Sequence, residues 1–193
     1  RDDVESRGLG DVYKRQLLTY AFQLICQNKA ATPQQHLKCV LALAKAAGPE
    51  GMVGGQAFDL LSEGRHIPLS ELQVLHRGKT GALFLAAIEI GLILSNAAAE
   101  VQKAYMSYGD QLGLLFQITD DILDVTGTIE DLGKMPGSDE KQDKSTYVSE
   151  LGEAGARAKA DETAAAAKAA LATVSNNTAI LEALVDYLVH RTN

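Results

Sequence analysis

Apolar residues recur with the helical period along almost the whole chain from Leu17 onward, and no segment keeps the strict alternation typical of a strand. Breaks rich in glycine, proline and polar residues divide this pattern into segments of helical length. The sequence therefore predicts an all-α protein. In chain order the predicted helices are one that begins at Leu17, then 33–47, 52–62, 71–77, 82–95, 100–125 (one long helix or two collinear ones), 150–174 and 178–190.

Two stretches do not fit the helical pattern. Residues 1–16 hold eight charged residues, few apolar ones and no core-facing period, which predicts a foreign or disordered tail. The pattern begins abruptly at Leu17 without capping residues, so we expect an upstream part of the domain to be missing. Residues 17–193 would then be the C-terminal part of a single domain. Residues 127–144 form the second stretch, a predicted polar loop.

Composition and charge narrow the possible functions. The chain has 193 residues and a formal charge of −7, which is enough length for one core. Nine acidic and two basic residues lie between Asp110 and Asp143, which disfavours nucleic-acid binding and favours a cation-filled cavity. Cys26 and Cys39 lack metal-ligand spacing, and no apolar run is long enough to span a membrane. We therefore expect a cytoplasmic protein with reduced thiols.

Three aspartates near the end of the long predicted helix are the strongest chemical signal. Asp120 and Asp124 lie about 40° apart on a helical projection and Gln117 joins their stripe, whereas Asp121 lies 100° from Asp120. Neighbouring carboxylates repel one another and oppose the helix dipole at its C-terminal end, so a cation is expected between them. Oxygen ligands on a rigid helix suit Mg²⁺, with Asp121 orienting the ligands. The alternative is a solvated acidic patch.

The segment Gly78–Gly81 mimics the end of a phosphate-binding P-loop, but that interpretation fails. Gln73 occupies the position of the required glycine, and no strand precedes the segment. As a break between helices it could instead present a lysine ammonium and a free backbone carbonyl to a cavity. An ordinary turn with a surface lysine is the alternative.

Gly54 and Gly55 lie inside another predicted helix, where each costs about 1 kcal/mol relative to alanine. Close helix packing explains them, and a substrate-facing Gln56 or Asp59 is the other possibility. The four histidines lack partners at metal-ligand spacing, so surface or structural roles are expected for them.

Taken together, these motifs resemble the trans-isoprenyl diphosphate synthases of the polyprenyl synthetase family, in particular the farnesyl and geranyl diphosphate synthases of bacteria. The resemblance runs from Leu17 to the C-terminus. It is carried by the segments 51–60, 76–81, 116–124, 132–134 and 143–147.

The resemblance implies an isoprenoid-synthase helical bundle around a central cavity, here lacking its N-terminal helices, and a homodimer. It implies a Mg²⁺-dependent prenyltransferase that condenses isopentenyl diphosphate with an allylic diphosphate. By resemblance, Asp120 would be a direct metal ligand, with Asp121 and Asp124 in support. Lys79, Lys134 and Lys144 would contact the allylic diphosphate. The Thr80 carbonyl and the Gln117 amide would face the developing carbocation, which makes Lys79, Thr80, Gln117 and Asp120 the predicted catalytic residues.

The chain also departs from the family pattern. An earlier aspartate-rich motif and its arginine pair are absent, so we expect the 193-residue chain to be weakly active as an incomplete fragment. Asp143 and Val148 replace the usual glycine and proline around the last lysine motif. The alternatives are a non-catalytic partner subunit of a prenyl synthase and a terpene cyclase. The retained aspartates and lysines argue against the first, and the Lys79–Thr80 break with two later lysines argues against the second.

Overall fold

The computed structural model describes residues 2–127 and 145–191, with side chains from residue 12 onward except at 14 and 15. All regular elements in these ranges are helical, which confirms the predicted all-α class. The eight α-helices are α1 (Asp2–Gln27), α2 (Pro33–Ala47), α3 (Met52–Ser62), α4 (Leu69–His76), α5 (Ala82–Leu94), α6 (Ala99–Thr126), α7 (Tyr147–Leu171) and α8 (Ala179–His190); a π-helical turn, Arg77–Gly81, joins α4 to α5.

Local signals placed most helix boundaries within a few residues. The side-chain hydroxyl of Thr32 accepts the backbone N–H of Gln35, and the Gln35 side chain accepts the backbone N–H of Thr32, so a complete capping box opens α2. Pro33 occupies the first turn, where its missing N–H costs nothing. A different start is found for α1, which begins at Asp2 rather than at Leu17. The origin of residues 1–16 stays a prediction.

The core lies between α6 and α7, which pack against each other more extensively than any other described pair. α7 offers a row of small side chains at helical spacing, including Ala156, Ala160 and Ala167, so the two helix axes can approach closely. The hydroxyl of the buried Tyr108 donates to the Leu181 carbonyl at 3.1 Å and ties α6 to α8. The position of α6 is thus fixed by two neighbouring helices.

In the part of the chain that the structure describes, no helix is both long and apolar enough to cross a bilayer.

Candidate active site

A cavity of about 260 Å³ lies where α3, α4, the π-helical turn and α6 meet the two residues that precede α7. It brings together five of the predicted site residues, and its lining includes Lys79, Thr80, Gln117, Asp120 and Asp121. A larger groove of about 760 Å³ runs between α2 and α5, but it holds none of these residues. The smaller cavity is therefore the candidate active site.

The π-helical turn presents Lys79 and Thr80 to this cavity. Its backbone N–H groups reach one residue further back than in an α-helix, as the bond from Ala82 to the Arg77 carbonyl shows. The chain therefore continues from α4 to α5 without a true break, unlike the predicted turn. A π-turn adds one residue to the helix, which rotates the following side chains relative to a regular helix. This local bulge sets the position of both predicted residues.

The Lys79 ammonium donates to a carboxylate oxygen of Asp59 at 2.7 Å. The Lys79 side chain is one-third exposed and that of Asp59 is 13% exposed, so the pair lies at the cavity wall. The sequence left a substrate-facing Asp59 as one possibility, and the structure shows that this carboxylate contacts Lys79. A partly buried carboxylate at hydrogen-bond distance limits where the lysine ammonium can lie.

Gly55 allows α3 to pack closely against the π-helical turn. A Cβ atom added at Gly55 would lie 2.6 Å from the Lys79 Cα and closer still to the Lys79 backbone nitrogen. The backbone of α3 therefore rests directly on the π-turn, which confirms close helix packing as the reason for this glycine. That packing places Asp59, one turn further along α3, beside Lys79.

The three aspartates of α6 occupy different environments. The Asp120 side chain is 55% exposed and lines the cavity, whereas Asp121 and Asp124 are only 4% and 3% exposed. Among the described residues that line the cavity, Asp124 is absent. The helical projection correctly separated Asp121 from Asp120, but it could not tell which flank of α6 the neighbouring helix α7 covers.

Both oxygens of Asp121 accept hydrogen bonds from protein groups. Oδ1 accepts from the Gln117 side-chain amide at 3.1 Å, and Oδ2 accepts the backbone N–H of Tyr147 at 2.8 Å. The Thr80 hydroxyl in turn donates to the Gln117 side-chain oxygen at 3.3 Å. The role of Asp121 as a metal ligand stays a prediction, and what the geometry shows is a link between α6 and the start of α7.

The candidate metal centre can be tested against these residues. Within the described ranges, no group of three or more His, Cys, Asp or Glu side chains is close enough to hold a metal ion. Mg²⁺, however, commonly uses one or two carboxylates and completes its shell with water and substrate phosphates. Asp120, exposed at the cavity wall, fits that arrangement.

Arg191 is a neighbour of the site that sequence reasoning missed. Its guanidinium lies 4.5 Å from the centre of the Phe116 ring and donates to the Phe116 carbonyl at 3.1 Å and to the Thr119 hydroxyl at 3.2 Å. It also lies 3.6 Å from the nearer Asp120 oxygen. The side chain is 9% exposed, so this cation holds the C-terminal segment against α6 and partly balances Asp120.

Two predicted diphosphate ligands, Lys134 and Lys144, lie outside the described residues. Ser145 and Thr146, which directly follow Lys144, line the cavity. Thr146 caps α7 through its hydroxyl, which accepts the Ser149 N–H at 3.0 Å. The roles of both lysines stay predictions.

The buried His76 side chain is expected to make the free energy of unfolding depend on pH. Burial, followed by the positive charge of Lys79, lowers the pKa of this imidazole from 6.5 to about 4. The unfolded chain therefore takes up a proton below pH 6.5, whereas the folded protein does not until about pH 4. Acid favours unfolding across that window, by about 3 kcal/mol at pH 4.

Urea titrations of the wild type and of His76→Gln at pH 7 and pH 4 measure this contribution of His76 to the free energy of unfolding. We expect the wild type to lose about 3 kcal/mol more free energy of unfolding than the variant between the two pH values. Equal losses in both proteins would contradict it.

Comparisons with known proteins agree with this architecture. The family model for polyprenyl synthetase matches residues 15–188. The farnesyl diphosphate synthase of Geobacillus stearothermophilus is 46% identical over 145 residues, which are 74% of this chain and 49% of that protein. The farnesyl diphosphate synthase of Escherichia coli is 40% identical over 181 residues, covering 91% of this chain and 60% of that protein.

A solved structure shows the same likeness. The geranyltransferase from Helicobacter pylori, complexed with magnesium and isoprenyl diphosphate, superposes with a TM-score of 0.75 at 29% identity, over 89% of this chain and 56% of that one. The fold is thus that of the isoprenyl synthases. The chain belongs to the polyprenyl synthetase family. It spans about half to three fifths of the length of the two curated relatives named above.

Proposed function

We propose that this chain carries part of the active site of a Mg²⁺-dependent trans-prenyltransferase that condenses isopentenyl diphosphate with an allylic diphosphate, as in farnesyl or geranyl diphosphate synthesis. One observation carries the proposal: Lys79 and Asp120, a cation and a carboxylate far apart in sequence, line the same cavity. Family membership supports it, as do the relatives named farnesyl diphosphate synthase. The neighbour that holds magnesium and isoprenyl diphosphate supports the metal and the ligand class.

The charges of the site suit the departure of a diphosphate. Mg²⁺, when bound, would neutralise negative charge on the pyrophosphate that leaves the allylic carbon. Asp120 would ligate it directly, with Asp121 and Asp124 in support. Lys79 would donate to the phosphoryl oxygens, joined by Lys134 and Lys144. Fixed cations stabilise the growing charge without having to reorganise during the reaction.

The remaining groups would act on the positive charge. As the allylic C–O bond breaks, a carbocation forms, and the Thr80 carbonyl and the Gln117 amide oxygen would offer it the negative ends of their dipoles. The double bond of isopentenyl diphosphate then forms the new C–C bond, and loss of a proton restores a neutral alkene. Exclusion of water protects the cation until that step.

Incubation of the chain with isopentenyl diphosphate, geranyl diphosphate and Mg²⁺ tests the function. We expect slow formation of a longer prenyl diphosphate that stops when EDTA is added. In parallel, calorimetry should detect pyrophosphate binding only when Mg²⁺ is present. The proposal fails if neither product nor Mg²⁺-dependent pyrophosphate binding is found.

Lys79→Gln is expected to weaken Mg²⁺-pyrophosphate binding by about 10- to 100-fold, because a charge-assisted hydrogen bond contributes about 1.5–3 kcal/mol. Arg77→Gln is the matched control. Arg77 belongs to the same π-turn, but its side chain is 56% exposed and pairs with Asp110 at 3.0 Å. The control should bind pyrophosphate within about twofold of the wild type, since exposed pairs contribute little. Equal losses in both variants would show that Lys79 has no special place.

The homodimer and the cytoplasmic location stay predictions of the same proposal. So does the division of the chain into a tail, residues 1–16, and the C-terminal part of a prenyl synthase domain, residues 17–193.

A further inference from the structure

Four residues, three of which line the cavity, form a continuous hydrogen-bonded chain. It runs from the Thr80 hydroxyl to the Gln117 side chain, on to the Asp121 carboxylate and finally to the backbone N–H of Tyr147. The three bonds measure 3.3, 3.1 and 2.8 Å in that order. They connect the π-helical turn, α6 and the first residue of α7.

The chemistry of these side chains fixes which group donates and which accepts in each hydrogen bond. An ionised carboxylate only accepts hydrogen bonds, whereas a glutamine amide can donate from one end and accept at the other. Asp121 therefore requires Gln117 to turn its NH₂ group inward. The Gln117 oxygen must then point the other way, where the Thr80 hydroxyl donates to it. Because Asp121 is only 4% exposed, bulk water has little access to compete for its oxygens.

We propose that Asp121 is a positioning residue, which locks the Gln117 amide with its oxygen, rather than its NH₂ group, toward the cavity. This inference rests on the proposed function, because an oxygen facing the cavity helps only where positive charge develops. The reversed amide would present its positive end and would oppose that charge. The nearby backbone N–H of Tyr147 holds the carboxylate itself in place.

The first test reads the amide directly and needs no catalysis. In ¹H–¹⁵N spectra of the chain, the Gln117 side-chain signals are identified by their loss in Gln117→Met. We expect them to exchange slowly with water and to show a nuclear Overhauser effect to the Tyr147 backbone N–H. In Asp121→Asn the new side-chain amide can donate as well as accept, so it no longer fixes the Gln117 amide. We expect the Gln117 side-chain protons to exchange at least tenfold faster and to lose the nuclear Overhauser effect to Tyr147.

Asp110→Asn is the matched control, because Asp110 lies on the same helix but pairs with the exposed Arg77. It should leave the Gln117 signals unchanged. The inference is overturned if the wild-type amide exchanges as fast as that of Asp121→Asn.

The second test separates positioning from metal ligation. Asp121→Asn should lower kcat for prenyl transfer by about 10- to 100-fold, with KM for the allylic diphosphate within about threefold. In the Gln117→Met background the same change should lower kcat by less than about threefold, since the amide is already gone. A large loss in both backgrounds, together with a higher Mg²⁺ requirement, would overturn the inference in favour of direct metal binding. If no variant transfers a prenyl group, the proposed function fails, and the exchange measurement still decides the role of Asp121.

Discussion

Asp120→Asn is expected to lower the rate of Mg²⁺-dependent prenyl transfer by about 10²- to 10³-fold, the usual cost of losing a preorganised electrostatic group. The asparagine keeps the size of the side chain but removes the charge that a divalent cation needs. Asp120 is the most exposed of the three aspartates of α6 and lines the cavity with Lys79. Its loss should therefore remove metal binding more completely than the loss of a buried carboxylate.

Two measurements check this prediction, namely kcat/KM at several Mg²⁺ concentrations and calorimetric binding of Mg²⁺-pyrophosphate. Asp110→Asn, ten residues earlier on the same helix, should retain both within about twofold. Because Asp120 also lies 3.6 Å from the nearly buried Arg191 guanidinium, urea denaturation of the variant is needed to separate lost metal binding from lost stability. An Asp120→Asn variant with normal pyrophosphate binding would remove Asp120 from the metal site.

The fold was largely predictable because its signals are local. The segment Thr32–Pro33 marks a helix start by its own chemistry, and the apolar period of α6 gave bounds within one residue of those observed. The start of α1 was predicted wrongly because residues 2–16 lack a core-facing period, and helical backbone without such a period leaves no pattern to detect. The π-turn was missed for a similar reason, since one added residue leaves the composition of a segment unchanged.

The site was predictable in its residue types but not in its pairings. Lys79 was singled out by a motif, yet its partner Asp59 lies on another helix, twenty residues earlier. Arg191 approaches Asp120 from the far end of the chain, and only tertiary packing brings them together. Periodicity gives the angles between side chains on one helix, but it does not show which of them the neighbouring elements bury. Asp124, predicted beside Asp120, is buried and is absent from the described cavity lining.

Gly55→Ala is expected to reduce the free energy of unfolding by about 2–3 kcal/mol, the typical cost of overpacking. The added methyl group would meet the backbone of Lys79 and the Gly78 carbonyl carbon, and backbone atoms cannot rotate away as a flexible side chain can. Either α3 or the π-turn must move, so Asp59 and Lys79 should separate. We therefore also expect weaker Mg²⁺-pyrophosphate binding in whatever fraction of the variant stays folded.

Gly91→Ala is a control that is expected to change the free energy of unfolding in the opposite direction. Gly91 also lies inside a helix, α5, but it is exposed and a Cβ atom there would meet nothing within 4 Å. Alanine should therefore stabilise the protein by about 0.5–1 kcal/mol, the ordinary helix-propensity difference. Urea denaturation of both variants separates the two causes, because propensity alone would make both changes stabilising. If Gly55→Ala were as stable as Gly91→Ala, α3 would not rest on the π-turn, and the placement of Lys79 by Asp59 would lose its physical basis.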